Sequence, residues 1–416
     1  MAVKIVRQAR KLALLGAPTS AAAMSAGHEG APSAFRNAGL AERLASIGYE
    51  VSDLGDDPQQ VYKLDEQSPR ARNLPAVVRA LEALKPRVEQ AVKSSALPLI
   101  LSGDCSVALA VVAGARRYFR RVGLLYMDRD ADLNTPATTP SGCVDGMVVS
   151  HLTGRGAAEL VRFWGEPPLV REPDLALFGI DRLDPSEDEV LRKSPLRSYT
   201  ADEIRRVGVG VAANRALERI HASGSEFVLH FDVDVIAEFQ ATNYPGSGGL
   251  TLDDVREALQ IFAQQKNLAA IEVTAYNPLK DPDGSAAKVI IDLIAGALEK
   301  RLETLTAVQP EARPSEVSPA AAPEESPAPQ EEVSSETPAE PEPALADVQS
   351  GQAWSSDSLE EVGAGNGDKP KDAEETAPSA AIPVDAPSEI LPKAETENDS
   401  SEEGSRSSDK SDETPA

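Results

Sequence analysis

An α/β fold, with a parallel sheet between layers of helix, is what this sequence predicts for residues 1–306 of its 416. Three observations carry that expectation. Short apolar runs of strand length alternate with longer stretches of helical periodicity, which is the pattern of parallel βα units. Two of those runs end in acidic clusters, Asp128-Arg-Asp130-Ala-Asp132 and Asp232-Val-Asp234, and binding residues in such folds gather at the carboxyl ends of strands. Composition then changes abruptly at about residue 307, where the apolar alternation stops.

The candidate strands are 12–15, 50–54, 97–101, 122–127, 175–178, 227–231 and 269–273. Helical patterns fall between or after them at 75–93, 106–118, 252–265 and 286–302, too long to be further strands. Thr200 starts another helix, with Glu203 three residues on completing a capping box.

Residues 307–416 hold 27 Asp and Glu against 6 Lys and Arg, leaving 40 against 35 for the rest, so most of the net charge of −26 belongs to this tail. It also holds 15 of the 32 prolines and one aromatic residue, Trp354. Such a segment buries too little apolar surface to offset the entropy of ordering, and a disordered tail is expected. The remaining 306 residues suffice for one core, and their near-balanced charge gives no reason to expect nucleic acid as a partner. Two cysteines, Cys105 and Cys143, argue for a reducing compartment without a disulfide framework. The apolar residues Leu12 to Leu15 are too few for a secretory leader, and no run reaches the ~20 apolar residues of a membrane span. The expectation is a cytoplasmic protein with no membrane partner.

The acidic runs carry the chemistry. Carboxylates two apart at a strand end project to one side, so neighbouring strands would bring five of them into one pocket. Five buried negative charges repel unless cations lie among them, and the obvious candidates are divalent metal ions bound through oxygen. The bland reading of either run alone is a set of turn and cap residues on a solvated rim.

Several motifs extend the pattern. They are Gly16-Ala-Pro18, Glu29-Gly-Ala-Pro32 with Arg36, Leu54-Gly-Asp56, Gly103-Asp-Cys-Ser106, the Asp128 run continuing through Asn134 to Pro136, Pro140-Ser-Gly142, Phe231-Asp-Val-Asp-Val235 and Glu272-Val-Thr-Ala-Tyr-Asn-Pro278. Over residues 10–303 their order and spacing resemble the ureohydrolases, the family of arginase, agmatinase and formimidoylglutamase. The resemblance implies a three-layer αβα arginase-like fold and a metal-dependent hydrolase in which metal-bound hydroxide attacks a guanidino or amidino carbon. It implies manganese, with magnesium, zinc or iron as alternatives, and a homo-oligomer, trimer or hexamer.

By the same resemblance Asp128 and Asp232 would bridge two metals. Asp132 and Cys105 would complete one site, and Asp234 and Asp130 the other. Glu272 would anchor the guanidinium, while Asn134, Ser141 and Asp184 would hold the rest of the substrate. The family's histidines are replaced at Cys105 and Asp130, and a third, the proton carrier, at Asp145. Thiolate favours softer metals than manganese, whereas aspartate still suits a hard ion. Asp145 would carry a proton only if its pKa rose towards neutrality.

Four histidines remain. His28, in the loop after the first strand, is a proton donor, a ligand or a packed residue. His230, His151 and His221 are read as structural, and Cys143 as a small buried hydrophobe. The competing expectation is a catalytically degenerate member of the same family with a binding or regulatory role. Its tail would then recruit partners around Trp354, against the plainer alternative of a solubilising extension.

Overall fold

The computed structural model describes residues 5, 7–221 and 226–307. Eight strands form one parallel sheet: β1 (Lys11–Ala17), β2 (Glu50–Asp56), β3 (Leu97–Ser102), β4 (Val122–Met127), β5 (Leu175–Ile180), β6 (Arg197–Thr200), β7 (Glu226–Asp232) and β8 (Leu268–Thr274). Their spatial order is β2-β1-β3-β8-β7-β4-β5-β6. The seven expected strands are all present. The eighth, β6, is a four-residue edge strand with only Tyr199 buried, so it lacks the apolar run by which the others are recognised.

Alternate residues of the central strands feed two cores. Leu12, Leu14, Leu99 and Met127 pack with helices Ala31–Asn37, Leu40–Ser46, Val209–His221, Leu252–Ala263 and Ser285–Ala307. Ala13, Leu15, Ile100 and Tyr126 pack on the other face with helices Leu74–Lys93, Ala108–Arg116 and Val148–Leu152. This is the three-layer αβα arrangement, with the central strands buried from both sides. The expected helix at 106–118 divides into a tight turn, Cys105–Val107, and an α-helix, Ala108–Arg116.

Sheet order fixes the site. β3 and β4 are consecutive in sequence, yet β8 and β7 lie between them. The chain direction therefore switches there, and a crevice opens beyond the carboxyl ends of these strands. No helix among the described residues is long and apolar enough to cross a membrane. The expected disordered tail, including Trp354, falls outside the described residues.

Candidate metal centre

β4 and β7 pair in parallel register, Tyr126 opposite His230 and Met127 opposite Phe231. Asp128 and Asp232 therefore leave the sheet side by side. Residues two apart share a face, so Tyr126 with Asp128 and His230 with Asp232 make one patch at the end of the sheet. The Tyr126 and His230 rings stack, with centroids 4.0 Å apart and planes 2° from parallel.

The third contributor comes off β3. Gly103 carries the chain so close to the first loop that a Cβ there would lie 1.7 Å from the Thr19 carbonyl oxygen. Asp104 then caps the following turn, accepting from Ser106 N at 3.2 Å and from the Thr19 hydroxyl at 3.1 Å. This brings Cys105 Sγ to 2.9 Å from Asp232 Oδ2, with the thiol donating. Cys105 and Cys143 are both buried and unbridged.

The acids converge on a cavity of about 150 Å³ lined by Cys105, Asp128, Asp130, Asp132, Asn134, Ser141, Asp145, Asp184, Asp232 and Asp234, among others. Burial first, and then the charge of neighbouring acids, holds Asp128, Asp132 and Asp232 well above the ordinary carboxylate range. Burial also pushes the Cys105 thiol up, so a free thiolate there is disfavoured. Asp145 is raised to about 7 by burial and by Asp104, while the Tyr244 hydroxyl and Cys105 N donate to its two oxygens at 2.9 and 2.7 Å.

Two groups of side chains have the spacing of a metal site. Ligand atoms of Cys105, Asp128, His230 and Asp232 lie within 4.8 Å of one another, as do those of Asp128, Asp130 and Asp234. The first fits a cation well: sulfur, imidazole nitrogen and two carboxylates, all buried. The second fits poorly. Arg182 makes a two-pronged ion pair with Asp130, and its Nη2 lies 3.7 Å from Asp234 Oδ2. Arg129, only 3% exposed, donates to the same Asp234 oxygen at 3.3 Å. Two guanidinium groups already supply the positive charge.

Not every expected residue sits where the sequence suggested. Asp132 lines the cavity but belongs to neither group, and one of its oxygens accepts from the Tyr126 hydroxyl. Glu272 is fully buried and is absent from the cavity wall. Its oxygens take the Ser102 hydroxyl at 3.0 Å and face His230 Nδ1 at 2.9 Å, so its contact is with His230 rather than with a ligand in the cavity. Parity along β8 explains this, because His230 and Glu272 are register partners on adjacent strands. Asn134 and Asp184 do meet at the wall, the Asn134 amide donating to Asp184 at 2.8 Å. Ser141 also lines the cavity and accepts from Cys143 N at 3.1 Å.

His28 stays out of the cavity. It is fully buried, its Nε2 accepts from Asn243 N at 3.2 Å, and burial lowers its pKa to about 3, so it is a neutral packed residue. His151 is likewise buried and lowered to about 4. His230, read from sequence as structural, comes within reach of the first candidate metal group. Its spacing of two before Asp232 was the available signal, because that spacing puts both on one strand face. Arg182 had no local signal: it reaches Asp130 across a bridge between the loops after β4 and β5.

Comparison with known proteins agrees with this fold. The model of the Arginase family matches residues 10–298. The chain is similar to the arginase of Bacillus caldovelox, 30% identical over 297 residues that cover 70% of this chain and 99% of the relative. It is also similar to the arginase of Bacillus subtilis strain 168, 29% identical over 297 residues with the same coverage. The solved structure of the Bacillus caldovelox arginase matches with a TM-score of 0.63, covering 70% of this chain and 98% of that one.

Proposed function

The chain belongs to the arginase family, and from that premise we propose that it hydrolyses a linear C–N bond in a small guanidino or amidino compound with the help of a divalent cation. One observation carries this reading. The buried side chains of Cys105, Asp128, Asp232 and Asp234, from the ends of three strands, converge on a single cavity.

Cys105, Asp128, His230 and Asp232 would hold a divalent cation, which when bound would supply the activation of water that such a hydrolysis needs near neutrality. The protein's own groups do the rest. The acidic wall favours a cationic substrate over a neutral or anionic one. Asn134, Ser141 and Asp184 bind the end of the substrate remote from the reacting carbon, with Asp184 accepting from an amine. Asp145, protonated below about 7 and fixed by Tyr244 and Cys105 N, delivers a proton to the leaving nitrogen. Glu272 acts one step back, by orienting His230. A cytoplasmic homo-oligomer, trimer or hexamer, completes the reading.

The test is release of urea, ammonia or amine from a panel of guanidino and amidino compounds by full-length protein supplied with manganese, zinc or magnesium. Turnover that disappears with Asp232→Asn supports the reading. A second reading, a binding role without catalysis, is favoured by the Arg182–Asp130 pair at the family's other metal position. Metal retention with no turnover of any compound in the panel would select it.

A further inference from the structure

We infer that this chain carries a mononuclear centre: one borderline divalent ion of the zinc type on Cys105, Asp128, His230 and Asp232, with Arg182 and Arg129 standing where a second ion would otherwise be needed. The inference rests on the metal-hydrolase reading but names the ion class and number that reading leaves open.

His230 points to the ligand. Its side chain is 0% exposed, and among the described residues its Nε2 has no hydrogen-bond partner. Nδ1 lies 2.9 Å from Glu272. With Nδ1 donating to Glu272, Nε2 is left to present a lone pair. That lone pair is aimed into the cluster, 4.0 Å from Asp128 Oδ2. Stacking on Tyr126 fixes the ring plane. A buried acceptor without a donor calls for a partner, and a histidine backed by a carboxylate is the arrangement by which proteins orient an imidazole on a metal.

The donor set then selects the ion. One thiol sulfur, one imidazole nitrogen and two carboxylates suit a tetrahedral, borderline-soft cation better than a hard ion that prefers six oxygens. The neighbouring group offers much less. Of the four carboxylate oxygens of Asp130 and Asp234, three face Arg182 or Arg129, and Asp234 Oδ1 alone is without a partner. A second divalent ion would have to enter against two buried or half-buried guanidinium charges and break the Arg182–Asp130 pair.

The test uses full-length protein stripped by chelator and reloaded with zinc, manganese or cobalt, read by elemental stoichiometry and absorption spectroscopy. One ion per chain is expected, with zinc retained through dialysis that removes manganese. Cobalt should give a thiolate charge-transfer band and the intense visible bands of a tetrahedral site. His230→Ala should weaken zinc binding at least tenfold, Cys105→Ser should erase the charge-transfer band, and Arg182→Ser should admit a second ion. Two ions per wild-type chain, no retained ion, or a cobalt spectrum without the thiolate band would overturn the inference. Turnover with two ions would leave the hydrolase reading intact. One ion with the thiolate band but no turnover would remove that reading and leave this inference standing.

Discussion

Tyr126 and His230 face each other across adjacent parallel strands, their rings stacked, and each uses its polar end on a different acid: Tyr126 on Asp132, His230 on Glu272. The pair sits two residues before Asp128 and Asp232 on the same two strands. Stacked rings and acids are thus carried by one unit of the sheet, which is how a small centre is kept in shape.

Tyr126→Phe keeps the stacked ring and removes the hydroxyl donor from Asp132. It should cost about 1–3 kcal/mol of stability, the range for leaving a buried acceptor unpaired. Tyr126→Ala should cost about 3–5 kcal/mol through the cavity it opens. Urea denaturation of the metal-free protein measures both. Equal losses in the two variants would show that the ring contributes nothing beyond its hydroxyl.

Gly103→Ala places a methyl group within 1.7 Å of the Thr19 carbonyl, a backbone atom that has no rotamer to yield. The turn carrying Cys105 must shift, at a cost of about 1–3 kcal/mol or more. Zinc affinity should fall with it, because Cys105 moves away from Asp232. Calorimetric titration of the variant decides the point: wild-type affinity with a lowered melting temperature would separate the turn from the site.

Stability of the chelated protein should fall as pH rises. The folded-state pKa values of Asp145 and Asp234 are raised to about 7 and about 6, chiefly by burial, and those of Asp104, Asp128, Asp132 and Asp232 are raised as well. Between the unfolded carboxylate range and these values the folded chain binds more protons than the unfolded one, so the stability present in acid is lost as pH climbs through the folded pKa. Melting temperatures from about pH 4 to about pH 8 should decline with chelator present and flatten when zinc saturates the site. A chelated protein most stable at about pH 8 would contradict the buried acid cluster.

If Asp145 is the acid, turnover should drop above about pH 7, where its carboxyl ionises. Asp145→Asn should lower kcat by about a hundredfold or more and remove that alkaline limb. A wild-type rate that stays flat between about pH 5 and about pH 9 would rule the assignment out.

Asp184→Asn should raise KM for substrates bearing a free amine and leave kcat nearly unchanged, since the residue lies on the wall with Asn134 rather than among the ligands. Loss confined to KM is the mark of uniform binding. An equal effect on substrates lacking the amine would show a structural role instead.

The sequence by itself determined seven of the eight strands, the acids at their ends and the family. Apolar runs such as 122–127 and 227–231 are local patterns, and carboxylates two apart at their ends share a face whatever the rest of the chain does. What it could not determine was which strand lies beside which. Strands β4 and β7, far apart in sequence, became neighbours only because the crossover connections place β8 and β7 between β3 and β4. That placement turned His230 from a core histidine into a candidate ligand, drew Glu272 behind it and out of the cavity, and let Arg182 reach Asp130. Periodicity is written along the chain, but the charge balance of a buried site depends on contacts across strands and loops, and those exist only once the sheet has closed.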